Sequence, residues 1–444
     1  MNTDLQYWND NQEKIVEYCL IDCYLTKNIA DYFWDVMYKA LQFNPKHPYS
    51  KGHFSEEYFL SKCYIPTIEE IPLEAIEYAF RSYSGGRFEL LQRGYFPQVY
   101  VYDIKSAYPS IIAELIDYSK GHWEKTSKFD ESAYNGFYLC NIRSYEKIVS
   151  PFMQKVNTLN IYPNGQFMQY LSKSEIDFIL KHFDRVEIDI IKGWQFYEFK
   201  EIYPFKDEVE RIYMLKETEK DEDIKYCYKI ILNSFYGKTI QTAGGKTGKV
   251  FNPIYAADIT GKTRLKLLQF GLKHFDEIIG FSTDSIATTQ RLEWRNQHKD
   301  KLGDFALDFK GSGYYVMSDI YHLWNEKKTK DRFRGFTIDF ERDSVKEKGK
   351  NVNLKNLLDN MEWRTVYKYS IKRPMHLGEV LRNPFIKSLN KQMSKEDINI
   401  FYTMTKQINL NGDMKRVWEK PFKSAYEVMD IHHTSLPVLL KEGS

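Results

Sequence analysis

One compact strand-like run, Val-Tyr-Val-Tyr-Asp-Ile at residues 99–104, restricts the fold more than any other segment. Its β-branched and aromatic side chains suit a buried strand. The run ends at Asp103, where Lys105-Ser106-Ala107-Tyr108-Pro109 takes the chain out towards solvent. A carboxylate at the mouth of a buried strand is a good position for a metal ligand. An aspartate there also commonly bonds nearby backbone groups, so this segment alone leaves both readings open.

A second acid changes the balance. Residues 278–281 and 286–288 are short apolar runs around Ser282-Thr283-Asp284-Ser285, the pattern of a hairpin with a polar tip. Asp284 is then a ligand held at a turn, or simply the turn-forming residue. Between the two acids lie helical segments at 205–216 and 224–236, joined by the charged residues 217–223, and together they predict a helical hairpin. Lys225, Lys229 and Asn233 recur every fourth residue and Tyr236 follows three later, so all four share one stripe. Cys227, Ile231 and Phe235 fall on the opposite stripe. Two lysines can be an ordinary solvated face. A stripe continued by Asn233, Tyr236 and then Gly237 suits a grip on a triphosphate and a base, with lysine supplying a mobile point charge.

Length and composition bound the rest. A chain of 444 residues is too long for one core, if domains run about 100 to 200 residues. With 43% hydrophobic and 28% charged residues it reads as folded rather than disordered. The formal charge is only +2, from 63 Lys and Arg against 61 acids, which excludes a polybasic binder and still leaves cations to line a groove. Five scattered cysteines without paired spacing give neither a disulfide framework nor a zinc site. The polar start and the lack of an 18-residue apolar run predict an intracellular chain, not a secreted or membrane-spanning one. Residues 13–34 have helical spacing, with Ile15, Tyr18, Cys19, Ala30 and Phe33 available for a buried face. Pro45, Pro48 and Gly52 break that pattern, and Tyr83-Ser84-Gly85-Gly86 precedes what reads as a new domain. From Pro109 to Trp194 no order of elements is legible. The Lys- and Asn-rich stretch beyond residue 343 reads as a small terminal domain.

Taken together, these pieces resemble a family B DNA polymerase, in particular its protein-primed branch of viruses and linear plasmids. Asp103-Ile-Lys-Ser106-Ala-Tyr108-Pro109 is similar to the family's motif A. Lys229-Ile-Ile-Leu-Asn233-Ser234-Phe-Tyr236-Gly237 is similar to motif B, and Ser282-Thr283-Asp284-Ser285 to motif C. Tyr83-Ser-Gly85-Gly86 resembles the Tyr-x-Gly-Gly loop that contacts primer-template. Ser282 replaces the first acid of motif C and Ala107 the usual leucine of motif A. The family's Lys-x-Tyr finds only Gly313-Tyr314-Tyr315, with Lys310 as a substitute. Tyr18-Cys-Leu-Ile-Asp22 resembles the last exonuclease motif; with only seventeen residues before it, 3'-5' exonuclease activity is expected to be absent and Tyr18 and Asp22 to serve packing.

The resemblance implies an α+β, right-hand architecture. It places an exonuclease-domain remnant helix at 1–40, a connecting region at 41–82, a palm at 83–113 and 252–342, fingers at 202–248 and a thumb at 343–444. Residues 114–201 would be an insertion like the terminal-protein region. It further implies two Mg²⁺ ions on Asp103 and Asp284, the catalytic pair. Tyr108, Lys216, Lys225, Lys229, Asn233 and Tyr236 would bind dNTP, with Tyr108 beneath the sugar. Tyr83, Gly85, Gly86 and Thr283 would contact DNA. Partners would be primer-template DNA and dNTPs, with a terminal-protein primer or a separate exonuclease chain as further candidates. The alternatives are a catalytically silent DNA-binding replication subunit and the polymerase half of a split enzyme.

Overall fold

The computed structural model describes residues 9–46, 50–198, 201–243, 245–293, 301–333, 354–374 and 401–441. The run at 99–104 is the end of a longer strand, Gln92–Ile104. Tyr100, Tyr102 and Ile104 pack into one core and Val99 and Val101 into another. Both faces of the strand are therefore covered, which is why its end shows no polar alternation.

This strand is the spine of an antiparallel sheet. Ser285–Thr288 lies along one side of it, followed by Ile278–Thr283 and Arg87–Leu90. On its other side come Phe305–Met317, Ile320–Trp324 and Thr329–Phe333. The helix Pro253–Gly271 packs Leu267 and Leu268 into the core shared with Tyr100 and Tyr102. Its start is set by proline at the first helical position and by Asn252, whose side chain accepts from the N–H groups of Ile254 and Tyr255.

The predicted helical hairpin is Lys206–Thr218 and Glu222–Ile240. Asp221 caps the second helix by accepting from the N–H groups of Asp223 and Ile224 at 2.9 and 3.2 Å. Cys227, Ile231 and Phe235 are 2%, 0% and 0% exposed, so the stripe opposite the lysines is the buried one. Phe235 meets Phe59 of the helix Lys51–Lys62 with ring centroids 4.3 Å apart. The stretch from Pro109 to Trp194, in which the sequence shows no order of elements, and the residues just after it hold a second sheet of Gly121–Thr126, Val186–Glu198, Asn135–Ser144 and Pro163–Ser172.

Two expectations are corrected. The C-terminal stretch is not a self-contained domain. Val438–Leu440 completes the second sheet in parallel with Pro163–Gly165, and His433–Leu436 pairs with Gln92 and Arg93 of the spine. Buried ions hold it there: Arg416 and Arg87 both pair with Glu89, and removing one partner of such a group typically costs about 3 to 5 kcal/mol. Residues 343–353 and 375–400 of the expected thumb lie outside the described residues. The first helix, Gln12–Leu41, buries Val36, Met37, Ala40 and Leu41, and of the residues expected from its periodicity Phe33 joins them, partly buried against the same core. Tyr18, Cys19 and Ala30 are exposed, because the helix is anchored through its last turns and its first half projects from the body. Packing is therefore not what occupies Tyr18. Among the described residues no helix is long and apolar enough to cross a membrane.

Candidate active site

Backbone pairing brings the two acids together. Ser285 stands opposite Asp103 in the ladder, and the Ile104 N–H donates to the Asp284 carbonyl at 2.8 Å. Asp284 occupies the tip between Ile278–Thr283 and Ser285–Thr288. Its neighbour Thr283 has φ +57°, an unusual conformation for a β-branched residue and one that persists only where surroundings enforce it. Gly86 is part of those surroundings. A Cβ there would come within 2.7 Å of Thr283 Cγ2, whereas one on Gly85 would meet open space. The glycine that sterics demand is thus Gly86, and the group approaching it is the tip that carries Asp284.

Crowded carboxylates make the floor of the site electronegative. Burial, then Asp284 and Asp308, push the Asp103 carboxyl up to about 7, against the pull of Lys330 and Lys229. Burial likewise raises Asp284, and Asp319 adds to this, while the backbone, Arg332 and Lys229 oppose it. Asp319 accepts from the Ser282 hydroxyl at 2.8 Å and pairs with Arg332 at 2.9 Å, so a carboxylate from another turn stands beside the serine. Two acids that resist ionisation side by side suit a cation. Among the described residues there is no group of three or more Asp, Glu, His or Cys arranged to hold one.

Above the acids opens a cavity of about 720 Å³ lined by Asp103, Tyr108, Lys216, Lys225, Lys229, Asn233 and Asp284, with Ser106 and Glu222 among its other walls. Lys216 donates to Ser106 Oγ at 2.9 Å, and Lys225 faces Glu222 at 3.5 Å. Tyr108 and Tyr236 lie 4.6 Å apart between ring centroids, and the Tyr236 hydroxyl is 2.6 Å from that of Tyr83. Burial, then Asp284 and Tyr83, push the Tyr108 phenol up to about 12, so it stays neutral. Tyr236, Tyr83, Gly85, Gly86 and Thr283 stand outside the cavity lining and support it. Lys310 is displaced from the role suggested for it: its ammonium lies over the Tyr100 ring, on the face opposite Asp103.

Sequence reasoning missed Asp308, Asp319, Lys330, Arg332 and Arg264. The first four reach the site from strands Phe305–Met317 and Thr329–Phe333 and the turn before Ile320, whose register no local pattern predicts. Asp308 falls where the register with the spine shifts. Arg264 donates to the carbonyls of Ser84 and Gly85, a contact without any short-range signal.

A DNA polymerase of Acidianus bottle-shaped virus (isolate Italy/Pozzuoli) is 27% identical over 286 residues, 60% of this chain and 41% of the relative, so the chain spans less than half of that protein's length. Phi29 DNA polymerase complexed with primer-template DNA and incoming nucleotide superposes with a TM-score of 0.58 at 17% identity, over 81% of this chain and 67% of that one. The same polymerase with single-stranded DNA gives 0.55 at 18% identity, over 74% and 65%. These likenesses establish an α+β fold of the phi29 polymerase kind. The family described as DNA polymerase type B, organellar and viral, matches residues 2–249, more than half of the sequence, and the chain belongs to that family.

Proposed function

We propose that this chain is a DNA-directed DNA polymerase that extends a primer 3'-hydroxyl with dNTPs copied from a template. The observation that carries the reading is the meeting of Asp103 and Asp284 on the floor of a cavity walled by the lysine stripe. Phi29 polymerase binds primer-template and nucleotide in the same fold, which supports a similar occupant here.

In the reaction the primer oxygen attacks the α-phosphorus, the bond to the bridging oxygen breaks, and pyrophosphate leaves. Asp103 and Asp284 would hold two Mg²⁺ ions, which when bound favour the deprotonated hydroxyl and offset charge on the leaving oxygen. Lys229 and Lys225 supply positive charge along one wall for the phosphates, with Asn233 beside them. Lys216, fixed by Ser106, faces the same space. Tyr108, backed by Tyr236, forms a firm surface on which the sugar packs, and an added 2'-hydroxyl meets it by steric conflict. Thr283 and the Tyr83–Gly86 loop lie beside the acids, where contacts to the DNA backbone would be tolerant of sequence and sensitive to salt. The 83–113 and 252–342 segments act as the palm and 202–248 as the fingers.

Primer extension by the purified chain tests this. Template-dependent addition of dNTPs that requires Mg²⁺ is expected. Tight primer-template binding without any extension at saturating Mg²⁺ and dNTP would favour a silent DNA-binding subunit instead.

A further inference from the structure

Arg264 takes no part in that chemistry, yet its guanidinium makes three hydrogen bonds beside the site. Its side chain is 7% exposed on the helix Pro253–Gly271. Nη1 donates to the carbonyl oxygens of Ser84 at 2.7 Å and Gly85 at 2.9 Å, and Nη2 donates to Glu175 Oε1 at 2.7 Å. The other Glu175 oxygen accepts from the N–H and the hydroxyl of Ser172, closing the capping box of the helix Lys173–His182. One guanidinium thus ties the helix Pro253–Gly271 to a glycine loop and to the capped first turn of the helix Lys173–His182.

Stability alone is a poor reason to keep such a group. A buried ion pair often gains nothing over apolar residues of equal volume, and its attested use is to fix one arrangement among several. The loop it holds is one that needs fixing, because Gly85 and Gly86 lack side chains with which to pack. What the loop carries is the support of the cavity. Tyr83 bonds the Tyr236 hydroxyl, Tyr236 lies against Tyr108, and Gly86 seats Thr283 at the tip bearing Asp284. The Arg264 charge also reaches the phenols of Tyr108 and Tyr236, opposing the rise that burial imposes on both.

We propose that Arg264 is a positioning residue for nucleotide selection: by holding the carbonyls of Ser84 and Gly85 it fixes the Tyr83–Tyr236–Tyr108 series, and so the wall against which the incoming sugar packs, without touching substrate. This rests on the cavity being the nucleotide site. Lysine cannot span two carbonyls and a carboxylate at once, so Arg264→Lys retains the charge and only part of the clamp.

The test compares Arg264→Lys, Arg264→Met, Tyr83→Phe and the Tyr83→Phe/Arg264→Lys pair with wild type, measuring kcat/KM for dNTP and rNTP and thermal unfolding. Arg264→Met is expected to raise the rNTP to dNTP ratio about tenfold, a usual coupling within one hydrogen-bonded network, through KM rather than kcat. Arg264→Lys should recover part of the discrimination. Tyr83→Phe should relax the ratio in the same direction, and in the pair the effects should be less than additive. A merely structural arginine would lower the unfolding temperature and both substrates together, and an unchanged ratio in a folded, active Arg264→Lys overturns the inference even if Arg264→Met fails to fold. A wild-type chain that extends no primer overturns this inference together with the polymerase reading, whereas an active wild type with unchanged variant ratios overturns this inference alone.

Discussion

The cavity floor and the first helix both carry residues that match a catalytic pattern, and they meet different fates. At the floor, Asp103 and Asp284 come from distant parts of the chain and are half-buried side by side, with Lys229 close enough to bear on both. On the helix Gln12–Leu41, Tyr18 is 53% exposed and Asp22 is exposed on the same projecting half. The difference teaches that a carboxylate becomes useful when several elements converge on it. Burial and a second acid alter its chemistry.

The sharpest way to break this comparison is to remove the convergent acids. Asp103→Asn and Asp284→Asn should each lower nucleotide addition by about 10³-fold or more, the scale of losing charge stabilisation at a reacting centre. Primer-template affinity should stay near wild type, because these groups face the cavity floor. Rapid single-turnover extension assays and binding titrations check both halves. Near-normal extension by either variant would put the floor on a par with the helix.

Next in size is the lysine stripe. Lys229 bears on both acids, while Lys225 is partly answered by Glu222. Lys229→Ala should therefore raise the dNTP KM by about tenfold to a hundredfold, the worth of a charge-assisted hydrogen bond, and Lys225→Ala by less. Equal effects would mean that the stripe is only a diffuse positive surface.

How much of this could be read in advance follows from sequence separation. The helical stripe at 225–236, its buried opposite face and the Asp284 hairpin were legible because they depend on periods of four and two within a few residues. The Asp103 strand was legible at its end alone; its first half, from Gln92, lacks a clear run and is set by neighbours such as His433 and Tyr314. Nothing local could show that Val438–Leu440 returns to Pro163–Gly165, or that Asp308 and Asp319 crowd the floor. For the first helix, periodicity showed which residues share a face and left open whether anything covers it.

Acidity supplies the third test. The folded Asp103 carboxyl is raised to about 7, above the ordinary aspartate range. Between the unfolded and folded values the unfolded chain has lost a proton that the folded chain retains, so stability falls as pH rises and levels off above about 7. Mg²⁺ held there would require the ionised form. It should raise the unfolding temperature clearly near pH 8 and little near about pH 5, and Asp103→Asn should flatten both responses. Thermal unfolding at the two pH values, with and without Mg²⁺, measures this. A stabilisation by Mg²⁺ that is independent of pH would separate metal binding from Asp103.

The smallest effect is expected on the other side of the comparison. Asp22 stands on an exposed helical face, where a carboxylate stays hydrated, and a divalent ion takes several oxygen ligands. Asp22→Ala should change stability by no more than about 0.5 kcal/mol, as surface substitutions do, and leave primer extension intact. A labelled single strand incubated with the chain and Mg²⁺ should stay full length for wild type and variant alike. Steady shortening by wild type that Asp22→Ala abolishes would show that the helix is half of a nuclease site completed by other carboxylates. The molecule would then hold two working sites, and exposure of the helix would mark where the second set of ligands docks.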